Sequence, residues 1–238
     1  MKAWRFLMPS AIGFTLKNVF HGVWDKLTGA PSRPLQSMAY VAQHAKPGDP
    51  RDVLLTLDRF ATEVRWLMSV GPSKNRVFRE VAAQLPDNPR VLELGAYCGY
   101  SSIVIATTLG NSANVTSVEI SSDSVQAARA NVAVAGLSDR VKFIKGASSD
   151  VIPTLSGAFD MVFLDHWKDL YLDDLKLIEQ HGLLKPGSVV VADNVGEIFG
   201  AERYLDYVRG CGAYRSENRA DTIEYTELPD AVEISTRL

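Results

Sequence analysis

The chain has 238 residues, a length that suits one domain of the doubly wound α/β kind. Apolar residues make up 46% and charged residues 22%, the balance of a globular chain able to bury a full core. A formal net charge of −3 without any basic run argues against nucleic acid as the main partner, because phosphate binding needs a basic face.

At the N-terminus, Lys2 and Arg5 precede an apolar stretch, Phe6 to Phe14, broken by Pro9, Ser10 and Gly13. It is far too short to cross a bilayer, and it lacks a convincing small-residue cleavage site. Residues 1–30 are read as an N-terminal arm, and two readings stay open for it. Trp4, Phe6, Leu7, Phe14, Leu16, Val19, Phe20 and Trp24 are interleaved with Lys2, Arg5, Lys17 and Lys26, as in an amphipathic arm touching a membrane surface. The blander alternative is a leader packed loosely on the domain. Thr28 to Pro34 reads as a linker, and residues 31–238 as the domain proper.

Three helical stripes come before any strand. Leu35, Met38, Ala39 and Ala42 form the first, which stops before Pro47-Gly48. Val53, Leu54, Leu57, Phe60, Ala61 and Val64 form the second. After a turn at Gly71-Pro72-Ser73, Val77, Phe78, Val81 and Ala82 begin the third, which ends at Pro86. Strands and helices then alternate. Strands are expected at Arg90–Leu94, Val115–Ile120, Val141–Lys145, Phe159–Leu164 and Ser188–Ala192. Helices are expected at Ser101–Leu109, Ser124–Ala135 (stopped by Gly136) and Tyr171–Gln180. This alternation implies right-handed crossovers and a mostly parallel sheet covered on both faces. The tail from Tyr214 has no helical pattern, and Pro229-Asp230 separates two extended stretches, which suggests a terminal hairpin. Cys98 and Cys211 are too few for a disulfide framework and lack zinc spacing, so both read as free thiols of a reducing, cytoplasmic compartment.

Open α/β sheets bind ligands beyond the carboxyl ends of their strands. The first strand runs into Glu93-Leu94-Gly95-Ala96-Tyr97-Cys98-Gly99-Tyr100-Ser101. Gly95 and Gly99 allow close backbone approach, and the following helix presents free amides. The glycine spacing is not that of a dinucleotide site, and an acidic start suits a ligand with a positive end, such as S-adenosylmethionine. Alone, this loop fits a ligand cradle and a ligand-free turn equally. Glu119, at the end of the second strand, suits the two hydroxyls of a ribose.

The fourth strand ends in Asp165-His166-Trp167-Lys168-Asp169 and the fifth in Asp193-Asn194. Asp165, Asp193 and Asn194 are three hard oxygen ligands delivered to one sheet edge without His or Cys, which suits Mg2+. Against this stands the frequency with which acidic residues cap loops. Lys168 can approach a hydroxyl held there and act as a base. Trp167 is either a flat wall for an aromatic ring or core. His166 can stack on adenine and is given no catalytic role.

From about Pro34 onward the chain resembles the catechol O-methyltransferase family. Leu92 to Ser101 and Asp160-Met161-Val162-Phe163-Leu164-Asp165-His166-Trp167-Lys168-Asp169 are its most specific stretches, supported by Gln43 to Gly48, Gly146-Ala147-Ser148 and Ala192 to Val195. The resemblance implies a Rossmann-like, seven-stranded sheet with an antiparallel last strand, and Mg2+-dependent methyl transfer from S-adenosylmethionine to one catechol hydroxyl. It implies that Glu224 binds the second hydroxyl, that Trp66 and Trp167 flank the substrate, and that Met68 and Val70 cover the cofactor. Glu119 with Ile120 would hold the ribose, Ser148 would lie on the adenine side, and Glu93, Gly95, Tyr97, Gly99, Tyr100 and Ser101 would supply the cofactor loop. Departures are Ile198 in place of a proline beside the substrate, Ser149 in place of a glutamine, and Leu67, Ser69, Pro72 and Ser73 in the loop before the third helix. They leave open a larger phenylpropanoid or flavonoid diol as substrate. An inactive cofactor-binding scaffold is the other alternative. The implied assembly is a monomer or weak dimer acting on a small molecule.

Overall fold

The computed structural model describes residues 29–109 and 113–238. The N-terminal arm, with its proposed membrane contact, lies outside the described residues up to residue 28.

Helix α1 (Arg33–His44) and helix α2 (Pro50–Arg59) come first. Asp49 caps α2 by accepting the Asp52 amide at 3.2 Å, and Pro50 occupies the first turn, where no amide partner is needed. One wide turn, Phe60–Val64, extends α2, and α3 (Asn75–Ala82) follows. The alternating part comprises β1 (Arg90–Leu94), α4 (Tyr100–Thr108), β2 (Asn114–Glu119), α5 (Ser122–Val134), β3 (Val141–Lys145), a short α6 (Ser148–Val151) and β4 (Phe159–Leu164). It continues through α7 (Tyr171–Gln180), β5 (Leu184–Ala192), α8 (Glu202–Gly210), β6 (Tyr214–Thr222) and β7 (Pro229–Arg237).

The strands form one seven-stranded sheet in the order β3-β2-β1-β4-β5-β7-β6. β1 to β5 are parallel, and β7 runs antiparallel between β5 and β6. The tail hairpin therefore enters the sheet, with Pro229 opening its second strand. Side chains alternate between two cores. Along β4, Met161 and Phe163 face α2 to α5, while Val162 and Leu164 face α6 to α8. All six residues of β4 are buried, as a central parallel strand covered on both faces requires.

The expected elements recur with small boundary shifts, except that α3 ends at Ala82, short of Pro86, and β5 begins at Leu184, before Pro186-Gly187, rather than at Ser188. Helix α8 is not among the elements that the apolar pattern announces. Only Tyr204 and Val208, four residues apart, are buried on it, and glycines lie at both ends. Gly136 takes the left-handed conformation expected after α5, at φ 74°.

Gly95 is a loop glycine whose replacement the backbone beside it cannot absorb. Its φ is +102°, and a Cβ there would stand 2.5 Å from the backbone oxygen of Asp165. Gly95→Ala is expected to cost about 1–3 kcal/mol, read as a lowered urea midpoint at unchanged m-value. Cys98 is fully buried and Cys211 exposed. Burial pushes the Cys98 thiol up to about 12, so its reactive thiolate is scarce near neutrality. A maleimide should label only Cys211 in the native protein and both thiols in guanidinium. Native labelling of Cys98 would contradict the packing.

Candidate functional site

A cleft of about 750 Å³ opens at the carboxyl ends of β1, β2, β3 and β4. Gly95 and Tyr97 follow β1, Glu119 and Ile120 end β2, and the Gly146 to Ser149 turn follows β3. Asp165 to Lys168 form the wall beyond β4, and Trp66 and Met68 close the cleft from the segment ahead of the sheet. Thus Trp66, Met68, Gly95, Tyr97, Glu119, Ile120, Ser148, Asp165, His166, Trp167 and Lys168, all singled out from the sequence, share one cavity. Arg33 and Asp174 also line it and were not legible in the sequence. Asp174 sits at the front of α7 and holds the His166 ring by a 2.6 Å hydrogen bond to Nε2.

Glu119 binds the loop opposite it. One carboxylate oxygen accepts the amides of Tyr97 at 3.0 Å and Ala96 at 3.2 Å, and the other accepts the Ser121 amide at 2.8 Å. Its remaining lone pairs are what it can offer a polar ligand in the cleft. Ile120, at 70% exposure, and Met68, at 44%, present apolar surface there. Trp167 is 72% exposed, so it is a wall of the cleft and not core.

Other expected cofactor residues stand behind the wall. Glu93 is fully buried and accepts a short hydrogen bond from the Ser102 hydroxyl, and burial raises its pKa. Gly99 is needed for packing: a Cβ on it would lie 3.0 Å from the Cα of Ala128 in α5. Tyr100 is buried against Asp58, and Ser101 and Val70 are buried as well. These residues set the shape of the loop and do not line the cleft.

At the far end of the cleft the sheet gathers charge. The Tyr171 hydroxyl reaches the carbonyl oxygens of Leu164 at 2.8 Å and Asp193 at 2.9 Å, and so ties the tips of β4 and β5 together. Asp165 and Lys168 are paired at 3.4 Å, with side chains 16% and 14% exposed. Asp193 is buried beside them, and its Oδ1 accepts the Lys74 ammonium at 2.5 Å and the Asn194 amide at 2.7 Å. Lys74 reaches Asp230 at 2.8 Å, and Asn194 Nδ2 donates to the same Asp230 oxygen at 2.8 Å. Asn194 takes φ 51°, a left-handed geometry that Asn tolerates.

Burial pushes the Asp165 carboxyl up to about 7, helped by the charge of Asp193 and opposed by Lys168. Asp193 is raised for the same first reason, with Lys74 opposing and Asp230 adding. Burial disfavours the Lys74 ammonium, but Asp193 and Asp230 together outweigh it and raise its pKa. Neither Lys74 nor Asp230 stood out in the sequence. No local signal marks either, because their partners lie 119 and 156 positions apart from Lys74 along the chain.

Glu224 stands behind this end of the cleft. The Ser73 hydroxyl donates to its Oε2 at 2.6 Å, and Gly71 leaves room for it: a Cβ on Gly71 would fall 1.9 Å from Glu224 Cγ. The Trp66 indole donates to the Glu224 carbonyl at 3.2 Å. Ile198 packs with Ile223, Leu228 and Trp66 in a small apolar cluster beside them. Burial raises the Glu224 pKa.

The donor chemistry fits a hard divalent cation. Asp165, Asp193 and Asn194 offer oxygen only, and Asp193 Oδ2 and Asn194 Oδ1 have no protein partner among the described residues. When ionised, Asp165, Asp193, Asp230 and Glu224 exceed Lys74 and Lys168 by two negative charges. Among the described residues no three His, Cys, Asp or Glu side chains gather as a metal site. Lys74→Met would leave two buried carboxylates facing each other and should lower unfolding free energy by about 3–5 kcal/mol, measured by urea titration at pH 7.

A family model described as a methyltransferase domain matches residues 92–195, from β1 to the tip beyond β5. Catechol O-methyltransferase B of Danio rerio is 40% identical to this chain over 99% of it and 92% of its own length. Catechol O-methyltransferase of Mus musculus is 41% identical over 82% of this chain and 75% of its own. Among solved structures, the O-methyltransferase from Bacillus cereus in complex with SAH aligns with a TM-score of 0.67 and 21% identity, over 79% of this chain and 90% of that one. That last likeness is one of fold. No helix among the described residues is long and apolar enough to cross a membrane.

Proposed function

The chain belongs to the catechol O-methyltransferase family, S-adenosylmethionine-dependent O-methyltransferases, and from that premise we propose that it methylates one hydroxyl of a catechol with the aid of Mg2+. The observation that carries the reading is the pair Asp165 and Lys168 at the end of a cleft with apolar walls, with Asp193 and Asn194 buried beside it.

The apolar half of the cleft suits the cofactor. Glu119 has the lone pairs to take ribose hydroxyls, and Ile120 and His166 offer faces to an adenine near Ser148. Gly95 and Tyr97, which line the cleft with Met68, would hold the cofactor's amino acid end, and Met68 would help cover it. S-adenosylmethionine would supply an already activated methyl group, so the protein's main task is to hold donor and acceptor in line.

Asp165, Asp193 and Asn194 would hold Mg2+, whose Lewis acidity would make a diol hydroxyl more acidic. Lys168, fixed against Asp165 at 3.4 Å and lying 5.2 Å over the Tyr171 ring, is placed to take the proton from that hydroxyl. Glu224 would accept a hydrogen bond from the second hydroxyl with the oxygen lone pairs that Ser73 leaves. Trp167 and Trp66 would flank the ring and exclude water from one side each.

Lys168→Ala should keep S-adenosylmethionine affinity by calorimetry while turnover of 3,4-dihydroxybenzoate falls about a hundred- to ten-thousandfold. Unchanged turnover would remove Lys168 from the base role. Full chelation should abolish methylation and added Mg2+ restore it. Activity that survives a metal-free preparation would end the Mg2+ reading and leave the methyltransferase assignment standing.

A further inference from the structure

Asn194 is an ambiguous ligand, because its amide has one oxygen and one nitrogen and can turn either toward a cation. In this protein the choice is made by Asp230. An ionised carboxylate only accepts hydrogen bonds, so the amide group that meets Asp230 Oδ2 at 2.8 Å must be Nδ2. The Asn194 carbonyl oxygen then faces away from Asp230, with no protein partner among the described residues.

Asp230 is itself held in place. Lys74 bridges it to Asp193 with contacts of 2.8 and 2.5 Å, and the Gly196 amide donates to its other oxygen at 3.3 Å. The backbone beside it is tied as well: the Val195 amide donates to the Ala231 carbonyl at 3.0 Å, and Gly196 packs so closely that a Cβ on it would lie 2.9 Å from Asp230 Cα. The Asp230 side chain is fully buried, so no water competes for the amide. We propose that Asp230, locked by Lys74, is a positioning residue that turns the Asn194 carbonyl toward the cation and thereby sets divalent-ion affinity. The inference rests on the reading of Asp165, Asp193 and Asn194 as the cation site.

In Asp230→Asn the new amide can donate to Asn194 as well as accept from it, so the carbonyl is no longer forced outward. The test is Mn2+ affinity of the full-length protein, measured by EPR of the free ion without substrate or turnover. Asp230→Asn should bind Mn2+ about 10–100-fold more weakly, the range for loss of a group that orients a metal ligand. S-adenosylmethionine affinity, read by calorimetry, should be unchanged and certifies the fold.

Two further proteins separate orientation from simple charge. Lys74→Met with Asp230→Asn keeps the local charge of the wild type. It should show the same loss, and it also covers the case in which the single variant is disturbed by Lys74 having one carboxylate partner in place of two. In an Asn194→Ala background, Asp230→Asn should change affinity less than threefold, because there is no amide left to orient. An equal loss in both backgrounds, or no loss in the charge-balanced variant, overturns the orienting role. If the wild type binds no Mn2+, the cation reading itself falls, and the inference with it.

Discussion

Lys74 occupies a position that few proteins grant a lysine. Its side chain is 2% exposed and its ammonium is shared by two carboxylates that come from residues 119 and 156 positions further along the chain. Removing three charges from water is costly, and only close, mutual pairing offsets it. That requirement joins three parts of the molecule which no local propensity would bring together: the segment ahead of α3, the tip of β5, and the first residues of β7. The antiparallel insertion of β7 beside β5 delivers Asp230 to the same sheet edge as Asp193. The charged end of the cleft therefore depends on the tail strand as much as on the parallel core.

The same edge concentrates backbone strain. Gly95, Tyr97 and Asn194 all have positive φ, and all lie just beyond strand ends. Such residues persist where surrounding contacts over-determine them. Here the contacts are identifiable: the Asp165 carbonyl against Gly95, Glu119 against the Tyr97 amide, and Asp230 against the Asn194 amide. Strain and polar pairing together fix the loops that line the cleft, while the strands beneath are held by two apolar cores.

The segment between α2 and α3 links the two halves of the cleft. Trp66 and Met68 form its wall, Ser73 holds the Glu224 carboxylate, and Lys74 holds Asp193 and Asp230. Ser73 lies in that segment, one residue before Lys74. Its hydroxyl takes up an acceptor site on the one carboxylate assigned to the second hydroxyl of a diol. In the proposed reaction, discrimination among diols would therefore run through a segment that also borders the cleft.

Much of this protein could be read from the order of its residues. Apolar strands ending in Asp165 and in Asp193-Asn194, glycines after β1, and the alternation of strands with helices are local patterns, and they located the sheet, the cleft and most of its wall. Helix α8 escaped because its two buried residues, Tyr204 and Val208, make too thin a stripe to stand out. The packing role of Gly99 was not legible either: it comes from the approach of Ala128 and exists only once α5 lies across the loop. Lys74, Asp174 and Asp230 carry no local mark of their role. A charge acquires its meaning from the charges folded against it, so long-range pairing decided what these residues do, whereas apolar periodicity had already decided where the strands run.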